Sequence, residues 1–182
     1  GSGSGRLSPR NQHVAAALRQ SGQATLLLDL LLPDEEGDRR KVFDIELLAQ
    51  RLGQATQWAL TQEETRSLAI GYFGASTGAA AALVAASQPH NRVAAVVSRG
   101  GRPDLAGPVL DKVQAPTLLI VGSLDIEVIT LNQRALAGLR CTKELAIVPG
   151  ATHLFEEPGT LDAVVGLATD WFGRYLVAPA EG

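Results

Sequence analysis

The sequence predicts an α/β domain, a mostly parallel β-sheet with helices on both faces. Short apolar runs alternate with longer amphipathic ones along nearly the whole chain, the pattern of a parallel sheet joined by helical crossovers. The short runs are almost continuous in Val, Ile, Leu and Ala, as strands buried on both faces are. The chain has 182 residues, 46% hydrophobic and 19% charged, the length of one domain with apolar side chains enough for one core.

Five strands are expected, over Ala24 to Leu30, Leu68 to Gly74, Val93 to Ser98, Pro116 to Gly122 and Lys143 to Val148. The run Thr117-Leu118-Leu119-Ile120-Val121-Gly122 is the clearest. The first helix opens on Ser8-Pro9, an N-cap followed by Pro at the first helical position, and closes at Gly22. A second helix over Asp44 to Leu60 puts Ile45, Leu48, Leu52, Ala55 and Ala59 on one stripe. Thr77 to Ser87 is mostly alanine and can approach a sheet closely. Ile126 to Leu139 and Leu161 to Leu176 supply two more. The right-handed crossover rule then gives helices on both faces.

Composition removes several classes of function. Sixteen Lys+Arg against nineteen Asp+Glu leave a net charge of −3, so no basic surface argues for nucleic acid or anionic lipid. The single cysteine, Cys141, cannot form an internal disulfide, and with three scattered histidines a structural zinc site is excluded. Cys141 precedes a strand at the far end of the sheet and reads as a packing residue. No apolar run approaches the roughly 18 residues of a membrane span, and a cytoplasmic location is expected.

In such sheets reactive groups gather just after the strands. Gly74-Ala75-Ser76-Thr77-Gly78 is a G-x-S-x-G between an apolar strand and a helix. A serine on so sharp a turn projects its hydroxyl above the sheet, and the flanking glycines remove side chains that would collide. The turn leaves the Thr77 N–H at a helix start, where a developing oxyanion can accept from it. His153 lies in Pro149-Gly150-Ala151-Thr152-His153, after the last strand. Asp125, in Gly122-Ser123-Leu124-Asp125, can orient an imidazole, or can cap the helix that follows; Glu127 is its substitute if the loop turns differently. His13 sits within a helix and His90 leads into a strand, so neither competes with His153. Serine, aspartate and histidine, in that chain order, each follow a strand of an α/β pattern. The conjunction is specific where each motif alone is weak.

Those three stretches, with Gly71-Tyr72-Phe73 before the first and Leu154-Phe155 after the last, resemble the α/β-hydrolase superfamily. Within it the chain is similar to the dienelactone-hydrolase-like branch of small enzymes with almost no cap domain. The likeness runs from the first glycines to about Leu176. It implies the α/β-hydrolase fold and a catalytic triad of Ser76, Asp125 and His153. One departure is the nucleophile, since dienelactone hydrolases proper use cysteine where this chain has Ser76. The resemblance also implies a central strand between those of Ala24–Leu30 and Leu68–Gly74, and this sequence offers none. Gly1-Ser2-Gly3-Ser4-Gly5-Arg6 resembles the loop that follows that strand, with Ser2 and Gly3 supplying the second oxyanion donor; a flexible linker is the alternative. A parallel sheet without its central strand leaves two facing edges unpaired, so upstream residues or another polypeptide are expected to contribute it.

The expected activity is hydrolysis of a carboxylic ester or thioester of a small soluble substrate through an acyl-enzyme. A non-catalytic ligand- or partner-binding protein on the same scaffold is the alternative. Arg99 and Arg102 follow a strand and are candidates to bind a substrate anion, or else are solvent-exposed or paired with Asp104. No cofactor and no metal are expected. A small-molecule substrate is the expected partner, with neither nucleic acid nor membrane, and self-association is left open.

Overall fold

The computed structural model describes residues 5–176. Helix α1 spans Pro9–Gln20, α2 Arg39–Val42 and α3 Ile45–Thr61. Strand β1 (Ile70–Ser76) runs straight into α4 (Thr77–Ala86), and β2 (Val93–Gly101) is followed by a 3₁₀ stretch over Pro103–Lys112. Then come β3 (Thr117–Gly122), α5 (Ile126–Gly138), β4 (Lys143–Val148) and α6 (Thr160–Tyr175). The four strands pair in parallel in the order β1-β2-β3-β4.

Both faces of the sheet are covered, by a different route from the one expected. With strands in sequential order, right-handed crossovers all fall on one side. Helix α4, the 3₁₀ stretch and α5 share the core around Leu83, Val96 and Leu110 with α3. The opposite face is covered by α1 and α6, which meet the sheet around Val97, Ile120 and Phe172. Ala79, Ala80 and Ala81 of α4 are fully buried, because only methyl side chains let the helix lie so close to the strands. β3 is buried along its whole length, as its unbroken apolar run requires. β4 is the outer strand, and its first residues, Lys143 and Glu144, are exposed, charges that discourage edge-to-edge pairing.

The expected strand over Ala24–Leu30 is corrected. The segment has no regular secondary structure and joins no ladder. No backbone hydrogen bond from Ala24 to Asp29 is present among the described residues, and the free edge of β1 faces the segment across a cavity of about 500 Å³. An apolar run becomes a strand only when a neighbour lies within bonding distance, and here the position beside it is open. β1 shows the same deficit: only Tyr72 and Gly74 of its seven residues are buried.

The loop after this segment is pinned by Glu35, whose side chain is 7% exposed. Its carboxylate accepts from Arg51, from the Leu32 N–H at 2.9 Å and from Lys41 at 2.8 Å. The Arg51 hydrogen bonds foremost, then those of Leu32 and Lys41, hold this carboxyl well below its ordinary 4.5. A carboxyl lowered on folding contributes stability above its unfolded pKa and loses it as pH falls toward the folded value. Urea unfolding should therefore show wild type more stable than Glu35→Gln at neutral pH, with the gap closing below about pH 4. A gap independent of pH would show that the carboxylate charge does not anchor this loop.

Candidate active site

Ser76 is the last residue of β1 and the N-cap of α4, with φ 51° and ψ −127°, a conformation strained for any side-chain-bearing residue. Its hydroxyl makes no capping hydrogen bond. Gly74 is required by space: a Cβ there would lie 2.5 Å from the Gly78 carbonyl oxygen and 2.7 Å from the Ala79 Cα. Thr77, 2% exposed, is the first residue of α4, so its N–H has no intrahelical acceptor.

Asp125 and His153 are brought together. The carboxylate Oδ2 lies 2.6 Å from His153 Nδ1, which leaves Nε2 for a second partner. Asp125 occupies the N-cap position of α5, yet its side chain caps nothing; of the two roles the sequence offered, the structure holds the imidazole contact. The contact depends on how closely two loops approach. Leu124 donates its N–H to the Ala151 carbonyl at 3.0 Å, and the Gly150 N–H donates to Ser123 Oγ at 2.8 Å. A Cβ at Gly122 would lie 2.3 Å from the Ala151 oxygen. The histidine loop is held from its other end by Glu157, whose carboxylate accepts from the Thr152 hydroxyl at 2.5 Å and the Thr152 N–H at 3.1 Å. These bonds, the hydroxyl's first, keep the Glu157 carboxyl below its ordinary range. Phe155, buried at 2% exposure, plugs the loop into the core.

The end of β2 lies between Ser76 and this pair, and among the described residues no hydrogen bond joins Ser76 to His153. Ser76 pairs in register with Gly101, and Gly100 lies against the histidine: a Cβ there would be 3.0 Å from the His153 carbonyl oxygen and 3.7 Å from its Cε1. The register of β1 and β2 slips at this point, Ala75 opposing Arg99 and Ser76 opposing Gly101. Gly100 is the extra residue, at φ 50°, a bulge of the kind that re-aims groups beside active sites. Sequence reasoning ended this strand at Ser98 and passed over the bulge; the Gly100-Gly101 pair was its only signal.

Of the two arginines, Arg102 takes the pairing with Asp104 that the sequence offered as the alternative, and Arg99 is buried. Arg99 lies inside β2, not in a loop, and is 6% exposed. Its guanidinium sits 5.9 Å from the Phe73 ring centre and donates to Asn11 Oδ1 at 3.5 Å, while Nη1 has no partner. Burial, with the nearby Arg10 charge adding to it, pulls its pKa down to about 10. Arg102 makes a two-pronged pair with Asp104, at 2.9 and 2.8 Å. Neither offers an unpaired guanidinium at an open surface. Asn11 also donates to the Gly5 carbonyl at 2.9 Å, tying β2 to the turn before α1. Ser2 and Gly3 lie outside the described residues. His13 bonds Asp162 at 2.9 Å on the surface, away from Asp125. Among the described residues no cluster of His, Cys, Asp and Glu could hold a metal ion, and no helix is long and apolar enough to cross a membrane.

A parallel sheet flanked by helices, with a strained serine on a strand-to-helix turn and a carboxylate–imidazole pair on the last two loops, defines an α/β-hydrolase-fold protein. A family model described as the dienelactone hydrolase family matches residues 36–171, and the chain belongs to that family. It is 56% identical to a dienelactone hydrolase from Anabaena variabilis ATCC 29413 of known crystal structure, with a TM-score of 0.91, covering 97% of this chain and 84% of that one. A monoacylglycerol lipase from Paleococcus ferrophilus shares the fold at 15% identity and a TM-score of 0.76, covering 96% of this chain and 91% of that one. A curated protein of Mycobacterium tuberculosis, named "Putative phosphoribosyl transferase", is 62% identical over 179 residues, which are 98% of this chain and 40% of that protein. The chain therefore spans well under half the length of the curated relatives it matches.

Proposed function

We propose that this chain is a serine hydrolase that cleaves a carboxylic ester or thioester of a small soluble substrate through an acyl-enzyme. The observation that carries the reading is the 2.6 Å contact of Asp125 with His153 Nδ1, with His153 lying against the Gly100 bulge and Ser76 pairing with the next residue, Gly101. In this reading His153 Nε2 takes the Ser76 proton as the hydroxyl attacks the carbonyl carbon. The tetrahedral intermediate then expels the alcohol or thiol, protonated by the imidazolium. Water, deprotonated by the same imidazole, releases the acid and restores the serine. Asp125 holds the ring in the tautomer with its proton on Nδ1 and stabilises the imidazolium. The Thr77 N–H is the oxyanion donor on the α4 side, such a donor being worth on the order of 3 kcal/mol.

Family membership and the 56% identity to the dienelactone hydrolase from Anabaena variabilis support a hydrolase. The serine in the G-x-S-x-G supports an ester in place of the cysteine chemistry of dienelactone hydrolases proper. We assign the transferase named for the Mycobacterium tuberculosis relatives to the part of those proteins that this chain does not match. A fluorophosphonate probe is the direct test: wild type should be labelled at Ser76, and His153→Ala should lose most of the labelling. Absence of labelling in a folded, full-length protein would refute an activated serine.

A further inference from the structure

We propose that Asn132, on the buried side of α5, is a positioning residue that sets the orientation of the Thr77 N–H, the oxyanion donor of the hydrolase reading on which this inference rests. The side chain is fully buried, and its Nδ2 donates to the Gly101 carbonyl at 3.1 Å and to the Val128 carbonyl at 2.8 Å. Two acceptors fix which way the amide faces, because the reversed group would aim an oxygen at both carbonyls. Val128 lies one turn back on the same helix. Gly101 is remote in sequence: it closes β2 and pairs with Ser76 in the ladder. The amide therefore ties α5 to the strand end beside the nucleophile.

From Gly101 the connection runs through two peptide groups. A trans peptide is planar, with its C=O and the following N–H on opposite sides. The group that offers the Gly101 carbonyl to Asn132 carries the Arg102 N–H on its other side, and that N–H donates to the Ser76 carbonyl at 3.0 Å. The Ser76 carbonyl in turn shares its peptide plane with the Thr77 N–H. One plane thus hands its orientation to the next, and hydrogen bonds linked in such a chain polarise one another. Accepting from Arg102 makes the Thr77 N–H the better donor and fixes where it points.

The backbone here needs such a hold. Ser76 sits at φ 51° and ψ −127°, a conformation that persists only where its surroundings over-determine it. Its ψ is the angle that sets the plane of the Ser76–Thr77 peptide. Gly101 is also wedged against the first turn of α4: a Cβ there would lie 2.4 Å from the Ala79 Cβ and 2.1 Å from Ser98 Oγ. Packing does not account for an amide at this place. Asn132 Oδ1 is buried and has no hydrogen-bond partner among the described residues, which costs stability that an apolar side chain would keep. What the amide supplies and a hydrocarbon cannot is the donor to Gly101.

The test uses the whole chain with Asn132→Leu, which removes the donor and keeps the site filled, and Asn132→Ala, which removes it without overpacking. Fluorophosphonate labelling run to completion counts the active serines, and kcat on a reporter ester is then expressed per labelled site. Both variants should lose about 10- to 100-fold in kcat per site, with KM within about twofold of wild type. The pH profile should keep its midpoint, because the Asp125–His153 pair is untouched. A purely structural Asn132 would lower the thermal midpoint and the number of labelled sites and leave kcat per site unchanged, which overturns the proposal. A shifted pH midpoint overturns it too, by placing the effect on His153, and so does failure of both variants to fold. A wild-type chain that neither reacts with the probe nor turns over the ester brings down the hydrolase reading itself, whereas an active wild type with unimpaired variants sinks only the role of Asn132.

Discussion

Replacing Ser76 with alanine should lower kcat on a reporter ester by roughly 10⁴-fold or more while leaving KM nearly unchanged. The size of the effect follows from what the side chain does in the proposed mechanism. It is the atom that bonds to the acyl carbon, and no other hydroxyl stands on the strand-to-helix turn in the same strained conformation, φ 51° and ψ −127°. The residual rate would come from oxyanion stabilisation and binding alone. Alanine also removes only one atom from a residue whose hydroxyl caps nothing, so the thermal midpoint should barely move. A Ser76→Ala protein with wild-type esterase activity and an unchanged fold would eliminate the acyl-enzyme.

Asp125→Asn should cost roughly 10³- to 10⁴-fold in kcat. The amide keeps the shape of the carboxylate but offers His153 Nδ1 either an N–H or a neutral oxygen in place of the charged acceptor at 2.6 Å. If the amide N–H faces the ring, the imidazole is driven into the tautomer with its proton on Nε2, and that nitrogen can no longer accept from serine. The imidazolium also loses the adjacent negative charge that stabilises it. A purely capping aspartate would behave otherwise, because Asp125→Asn would then change stability and leave kcat alone. The structure already separates the two roles, since no N–H of α5 is capped by this side chain.

Much of this was legible in the sequence. The unbroken apolar run of β3 declared a strand buried on both faces, and the alanines of α4 declared a helix pressed against the sheet, because burial periodicity and side-chain size act locally. Gly74 was readable for the same reason: the turn it permits is made within five residues, and a side chain there would collide with Gly78 and Ala79 of the same turn. Ser76, Asp125 and His153 could be singled out because each follows a strand, and parallel strands present their carboxyl ends together.

The residue types and their order along the chain thus determined the α/β class, the position of the turn and the three candidates. Tertiary structure alone decided the rest. Arg99 was drawn into the core, an outcome that hangs on which groups the fold places within a few ångströms. Asp125 turned to the histidine and left its helix uncapped because Gly122 lets the Ala151 loop close to within hydrogen-bonding distance. Ala24–Leu30, with the composition of a strand, remained unpaired, since a strand exists only by virtue of the neighbour it bonds. Composition is a property of the segment, whereas pairing, burial and charge compensation belong to whatever stands beside it.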